Sequence, residues 1–572
     1  MPNPVAVNDL SPISGSLQTS RVSYGVETAG KNYGQDYNGT TWYSDIPNNG
    51  QFYTIISDNY TANYYVSRSN AGGAYVEGGL PAVDEYSAPV FWTTVGTSSL
   101  DVITIVNGLP DRIGQVPFNS GSQALNWVAS SSNYFAVGPD YYAQIDADNL
   151  QLYLDANQVI SYPTTQSTWY DLSGYTKNGI LENGLGTSWN SNGWFDFDGS
   201  DDDVNLGVTN TLYSGSNISW EVLFNSDSTT GYRALFGNAN TAPPYVALHL
   251  STGTMGLRWE VSVTAGTYVD SVLATATINR WQHFVVTYDG SIFRTYLNGV
   301  ATGTVSWTQG LGNNTQTFYI GRFWAGLFNG LMEKFRIYQK TLSAADAIQN
   351  YYGGPIVTSG LIFAVDAGNL VSYPKTGTSW YNLTGSVDGT LTNGPTFSPA
   401  DGGELIFDGT DDYIDFGNPG SLFNPATSTM TMMGWIYVKN NQSNILIGLQ
   451  ESGAGSLSLG TNSSGNVRFI CRPAAGSQGT IDSSATLALN TWYHIAMTKD
   501  TANSISDCTL WINGSPVNTA SSTVNFPTST AAIRSAYYFD ANIYSNINIG
   551  SIQVYNRALT AAEVLQNYNA TK

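Results

Sequence analysis

Charge is scarce in this chain. Only 11% of its residues are Asp, Glu, Lys or Arg, against about a quarter in an ordinary soluble domain. The 21 Lys and Arg form no run, and the formal net charge is −21. Affinity for a phosphate backbone comes from clustered basic residues, so nucleic acid is excluded as a partner. The acidity itself has two explanations, solubility or carboxylates that hold divalent cations. Cysteine is nearly absent, with two in 572 residues, which excludes a disulfide scaffold. Cys471 and Cys508 lie in the strand-like stretches VRFIC and CTLWI and read as reduced core residues, although neighbouring strands could pair them. Histidine occurs three times, and no Cys/His spacing resembles a zinc site. No apolar run approaches the roughly 18 residues of a membrane span, so no membrane insertion is expected. The N-terminus, MPNPVAVNDLSPISGS, lacks the basic and apolar regions of a signal peptide. The expectation is a chain that does not use the usual secretory route, unless a leader has been removed.

Glycine (59 residues) and aromatics (13%) are plentiful instead, as in an all-β protein with many turns and Tyr- or Trp-lined surfaces. The order of those strands repeats. Asp155 matches Asp366, Tyr162-Pro163 matches Tyr373-Pro374, and Trp169-Tyr170 matches Trp380-Tyr381, each pair 211 residues apart. Trp194–Gly207 pairs with Leu405–Gly417, Asn279–Gly290 with Asn490–Asp500, and Ile337–Tyr352 with Val554–Asn569. Similarity in one order over such a length is a duplicated domain rather than a short solenoid repeat.

Within each copy, short β-branched or aromatic runs such as Ile218–Phe224, His283–Tyr288 and Asn444–Leu449 are bounded by turn residues, as in antiparallel sandwiches. Asp289-Gly290 and Asn298-Gly299 supply the positive φ of tight hairpins. Each copy closes on a helix. Ser343 with Asp346, and Thr560 with Glu563, have the spacing of a capping box, and both helices run into Gln-Asn-Tyr. The short linker through Gly353–Pro355 predicts two sandwiches packed end to end. The N-terminal region reads differently. Residues 1–48 form an extended arm and 49–140 a small α+β domain, with strands at Phe52–Asn59, Val90–Thr94 and Tyr134–Val137 and short helices at Leu100–Gly108 and Ser122–Ser130.

These residues resemble the LamG-like, concanavalin A-like jelly-roll superfamily. Four parts of its signature occur in order in both copies. They are Asp-Ala in the opening strand (Asp155-Ala156, Asp366-Ala367), the Phe-Asp-Gly hairpin with two further Asp, Trp-x-His (Trp281–His283, Trp492–His494) before an Asn-Gly hairpin, and the Gln-Asn-Tyr helix. The resemblance implies a mainly β fold with tandem antiparallel β-sandwich jelly rolls at 148–352 and 359–572. GSLQTSRVSYGVETAGKNYG and IVNGLPDR also resemble segments of structural proteins from marine tailed phages.

The superfamily spans lectins, adhesion modules, glycanases and spacers, so function has to be argued from sites. A jelly-roll glycanase needs two carboxylates about 5–9 Å apart, usually placed on one strand. Glu221 and Glu260 each lack an acid at i+2, and the expectation is that the chain is not an enzyme. Asp198, Asp201 and Asp202, like Asp408, Asp411 and Asp412, form tight acidic turns. Such a turn can hold Ca²⁺, or its acids can cap the hairpin's own backbone, with Asp155 and Asp366, at the end of the opening strand, able to complete either arrangement. No cofactor is required on the second reading. His283 and His494 recur at one position beside Trp and read as core histidines. Trp169 and Trp380 likewise read as core. Trp307, Phe323, Trp324, Tyr537 and Tyr538 fall in loops and are candidates for stacking on sugars, or for burial against a neighbour.

Together these readings predict a non-enzymatic virion structural protein of a tailed phage, a fibre, spike or decoration subunit on the outside of the particle. It would contact other virion proteins through its N-terminal region and host-surface polysaccharide through the jelly rolls. It would form a homo-oligomer, a trimer by preference. A bacterial cell-surface adhesin or lectin is the alternative.

Overall fold

The computed structural model describes residues 149–571, apart from short loop stretches, and seven strands between residues 21 and 117. Each copy of the duplicated module is a pair of eight-stranded sheets. In the first, the front sheet runs Thr267–Thr275, Gly256–Thr264, Tyr245–Leu250, Arg233–Asn238, Thr317–Ile320, Asp203–Val208, Gly179–Glu182 and Thr168–Trp169. The back sheet is built around Asn329–Tyr338, which pairs with Ile218–Ser226, Trp194–Asp198 and Leu150–Asp155. The second copy repeats both strand orders, from Gly479–Thr486 to Ser379–Trp380 in front and around Ile547–Tyr555 behind.

Strand alternation creates this layering. Trp220, Val222 and Phe224 point inward and meet Leu248, Trp259 and Phe318 of the front sheet in one continuous core, so Ser219, Glu221 and Leu223 point outward. Trp169 and Trp380 are fully buried, as expected. Asn298 (φ 51°) with Gly299 (φ 74°), and Asn513 (φ 49°) with Gly514 (φ 76°), make the two-residue hairpin turns whose φ > 0 at both positions favours Asn-Gly.

The closing helices, Ala344–Tyr352 and Ala561–Ala570, start at full capping boxes. The Ser343 and Asp346 pair satisfies two orphan N–H groups at 3.2 and 2.7 Å, so the shorter acid is long enough here. The recurring Gln-Asn-Tyr ties the helix to the back sheet. Asn350 Nδ2 donates to Tyr338 Oη at 3.1 Å, and Asn567 Nδ2 to Tyr555 Oη at 2.7 Å.

The two copies are in direct contact. Trp194, Leu223 and Trp281, on the outer face of the first back sheet, are buried with Tyr351 against Ala364, Leu370, Val371 and Leu383 of the second copy. The Arg280 guanidinium lies 3.4 Å over Tyr381, and Lys375 Nζ donates to Asn157 Oδ1 at 2.9 Å. Outward-facing aromatics on a strand need a cover, and the start of the next module supplies it.

In the N-terminal region, Arg21–Val22, Phe52–Ile55, Asn63–Arg68 and Tyr75–Gly79 form one sheet, and Val90–Thr94, Ser99–Val106 and Leu109–Pro117 another. The helix expected at Leu100–Gly108 is instead a strand. Its run of Val102, Ile103, Thr104, Ile105 and Val106 is β-branched throughout and favours the pleated sheet. Ser122–Ser130, Tyr134–Val137 and most of the arm lie outside the described residues. Cys471 and Cys508 are buried and unpaired, and burial pushes the Cys471 thiol up to about 12.

Candidate functional site

Each acidic turn is first of all a device that builds its hairpin. Asp198 Oδ1 accepts from Ser200 N at 2.7 Å, and Asp202 Oδ2 accepts from Asp198 N at 3.0 Å. The second copy repeats both, from Thr410 N to Asp408 at 2.7 Å and from Asp408 N to Asp412 at 3.2 Å. The structure does bring the expected residues together. Asp198, Asp201 and Asp202, and likewise Asp408, Asp411 and Asp412, place carboxylate oxygens within 4.8 Å of one another. Three carboxylates partly committed to the turn are a thin set for Ca²⁺, which takes six to eight oxygens. Asp155 and Asp366 are not among these groups. Asp155 accepts from Tyr153 Oη at 2.9 Å and pairs with Lys334 at 3.7 Å. Asp366 accepts from Gly368 N at 2.8 Å, and burial raises its carboxyl to about 6.

The two isolated glutamates separate into different roles. Glu221 lies under the closing helix on the first back sheet, buried. It is held by Arg336, by His283 Nε2 at 2.9 Å, by Tyr338 Oη at 3.1 Å and by Asn350 Nδ2 at 2.7 Å. Burial opposes its charge, but Arg336 and His283 overcome that and hold the carboxyl at about 2. His283 is the core histidine that was expected, held through Nε2 alone, since its Nδ1 has no hydrogen-bond partner among the described residues. His494 is as deeply buried, with an Nδ1 likewise unpartnered among the described residues, and burial lowers it to about 3.

Of the five aromatics, Trp307 is a correction. It is 5% exposed, part of the core beside Leu311, with Nε1 donating to Gly310 O. Its ring turns into the core of the sandwich, which its sequence alone did not indicate. Phe323 is also buried, flat against Ala234 and Ala247 on the outside of the front sheet. Its seat depends on Gly237, where an added Cβ would fall 2.8 Å from the ring. Trp324 takes φ +58°, and it stands 60% exposed. Tyr537 and Tyr538 are half-buried. Tyr537 packs on Tyr413 and Tyr544 at 5.4 and 4.9 Å.

These loops prove equivalent. Gly321 N donates to Leu235 O at 2.8 Å and Ala536 N to Ile445 O at 3.0 Å, both at positive φ. Each residue then opens a small hairpin, Arg322–Phe323 with Gly326–Leu327 and Tyr537–Tyr538 with Ile543–Tyr544. The hairpins differ in length and share no motif, so the repeat hid their correspondence.

Beside the first hairpin is a group of residues that sequence reasoning missed. Along Tyr245–Leu250 and Gly256–Thr264, the residues Val246, Leu248, Trp259 and Val261 belong to the core. Alternation therefore turns Tyr245, Ala247, His249, Arg258 and Glu260 outward. Glu260 Oε1 accepts from Tyr245 Oη at 2.9 Å, and Oε2 from Tyr232 Oη at 3.5 Å. His249 Nε2 is 3.6 Å from the same carboxylate, beyond hydrogen-bond length. Tyr232 stacks on His249 with ring centroids 4.1 Å apart. His249 is 3% exposed, and neither of its ring nitrogens has a hydrogen-bond partner among the described residues. Burial, then Glu260, pushes the Tyr245 hydroxyl up to about 12. Asp270 stands directly opposite Glu260 across the strand pair, but Arg258 grips it at 2.8 and 2.6 Å. Trp324, Phe323, Tyr232 and His249 thus make one aromatic row, with successive rings 4.1–6.4 Å apart, and Tyr245 branches from Phe323 at 5.4 Å. Alternation in the sequence could have put His249 and Glu260 on one face. The cover of Tyr232 and the arrival of the hairpin come only with the fold.

The second copy keeps the ion pair, as Arg468 with Asp482 at 2.6 and 2.7 Å. By register, Gly460 and Ile470 take the places of His249 and Glu260.

A family model described as the concanavalin A-like lectin/glucanases superfamily matches residues 197–347 and 408–565. Comparison with curated proteins gives no match. Among solved structures, the chain is similar to domain 4 of AbnA, an extracellular arabinanase from Geobacillus stearothermophilus in complex with arabinotriose. That likeness has 16% identity over 36% of this chain and 98% of that one, with a TM-score of 0.31. The mouse laminin alpha1 chain, domains LG4-5, follows at 12% identity over 61% and 86%, TM-score 0.24. The Trypanosoma rangeli sialidase in complex with the inhibitor DANA is similar at 11% identity over 91% and 92%, TM-score 0.29.

Proposed function

Because this chain belongs to the concanavalin A-like lectin/glucanases superfamily, we propose that it is a glycan-binding protein rather than a glycan-cleaving one. The observation that carries this is the exposed Trp324 and the partly exposed Tyr232 on the outer face of the first front sheet, backed by the buried rings of Phe323 and His249. Sugars stack their apolar faces on such rings while nearby polar groups fix orientation. Binding is favoured over hydrolysis because Asp270, which faces Glu260, is tied by both oxygens to Arg258 and is not left as a second free carboxylate. The Tyr537–Tyr544 hairpin, at the equivalent place in the second copy, supplies a weaker contact.

We further propose that the chain is a structural subunit on the outside of a tailed-phage particle. The N-terminal segments quoted above support this, and in this reading residues 1–140 attach to other virion proteins. A homotrimer would multiply weak sugar contacts into useful avidity. The acidic turns are assigned to hairpin construction, with Ca²⁺ at most a weak accessory. Immunogold microscopy of lysates from the source culture, with antibody to the purified chain, tests the location. Gold on tails or capsids is expected. Gold on cell envelopes with bare particles would instead make it a bacterial surface adhesin.

A further inference from the structure

The outer face of the first front sheet carries more than a stacking platform. We propose that it is a site for uncharged glycans, built to reject acidic ones, with Glu260 and His249 as its polar centre. This rests on the glycan-binding reading and names the class of sugar.

His249 supplies the first argument. Its two ring nitrogens, one donor and one acceptor in the neutral imidazole, are buried without a hydrogen-bond partner among the described residues, Glu260 standing 3.6 Å from Nε2, and an unsatisfied buried group of this kind is destabilising. Sugar hydroxyls both donate and accept, so neighbouring hydroxyls can satisfy the imidazole and Glu260 together. The cover over His249 is Tyr232, 37% exposed, stacked on the imidazole, in contact with Glu260 at 3.5 Å and set against Phe323 and Gly326. Turning the Tyr232 ring aside is the step that would expose the ring nitrogens to a sugar hydroxyl. The hairpin bears on the same ring, since a Cβ at Gly326 would fall 2.0 Å from Tyr232.

Charge supplies the second argument. The cations around the face are already engaged. Arg258 is paired with Asp270 through both carboxylate oxygens, and Arg233 donates to Gly199 O and Leu327 O, both at 3.2 Å. Glu260 receives neutral hydroxyls and leaves a negative charge at the centre. A uronate, sulfate or sialyl group placed there meets like charge in a partly desolvated setting, where repulsion is stronger than in water. The second copy, with Gly460 and Ile470 at these positions, has neither feature and serves as an internal control.

The test titrates the full chain at pH 8, where an ordinary imidazole is neutral. Matched pairs of oligosaccharides are used, each neutral member beside its uronate or sialylated counterpart. The expected result is binding of neutral members with acidic ones at least about tenfold weaker. Glu260→Gln narrows that gap to about threefold or less, with the melting temperature unchanged, and His249→Ala weakens neutral binding. Acidic members binding as tightly as neutral ones, or a gap that Glu260→Gln does not move, would overturn the proposal while glycan binding itself stands. Failure of every oligosaccharide of either charge would remove the glycan reading and this site with it.

Discussion

Where the first copy buries Glu221 against Arg336, the second places Met433 against Gln553 in the same register. One chain therefore solves one packing problem twice, once with charges and once without. Breaking a buried pair from one side strands the other charge and costs about 3–5 kcal/mol. Glu221→Met alone should show a loss of that order by chemical denaturation. Glu221→Met with Arg336→Gln, which copies the second module, should recover most of it, and a double variant as unstable as the single would refute the equivalence. The pH sign follows from the depressed carboxyl. Its folded value, about 2, lies below the ordinary 4.5, so the stabilisation is present above about pH 4.5 and is lost as pH falls through the folded value. Glu221→Gln should flatten the stability profile in that window. None of this could be read from Glu221 alone, because Arg336 and Asn350 lie more than a hundred residues further along the chain.

Among elements, the hairpins divide what the sequence revealed from what it hid. The Asn-Gly turns, capping boxes and acidic turns recur in both copies because they solve backbone problems that every copy shares. Recurrence made them legible, along with the sandwich fold. The aromatic hairpins at Arg322–Leu327 and Tyr537–Tyr544 differ in length and residues. Only their common exit from the sheet at Gly321 and Ala536 relates them. The sequence marked Trp324 correctly as a loop aromatic but could not separate it from Trp307, which folds inward, or from Phe323, whose place against the sheet depends on Gly237. The acidic turns make a prediction at this scale. If their carboxylates serve the hairpin, millimolar Ca²⁺ should leave the melting temperature within about 1 °C of its value in chelator, since a ligand stabilises only what it binds. A rise of several degrees would show coordination instead.

For the whole molecule, the seam between the copies decides how the binding face is presented. Trp194, Leu223 and Trp281 are buried by Leu370, Val371 and Leu383. Lys375 reaches across to Asn157, its ammonium pulled below the ordinary lysine range by burial. A seam so apolar should make the two modules melt together. Calorimetry of the full chain should show one transition for both jelly rolls. Leu370→Asp with Val371→Asp, which puts charge into the seam, should divide it into two, and two transitions in the unaltered chain would refute the coupling. The short linker pointed to close neighbours, but the covering face could not be inferred, because outward strand positions look the same whether solvent or a second module meets them.

The central claim is that the first jelly roll binds glycan across its front sheet through Trp324 and the ring row behind it. The most direct test is calorimetric titration of the full chain and of Trp324→Ala with the tightest-binding neutral oligosaccharide. Trp324 is exposed and packs only lightly, so its removal should leave the melting temperature unchanged. Affinity should fall by roughly tenfold or more, in line with the 0.5–1.5 kcal/mol of an aromatic contact plus the area it covers. Unchanged affinity in Trp324→Ala, with Tyr537→Ala abolishing binding instead, would place the site on the second module and contradict the account.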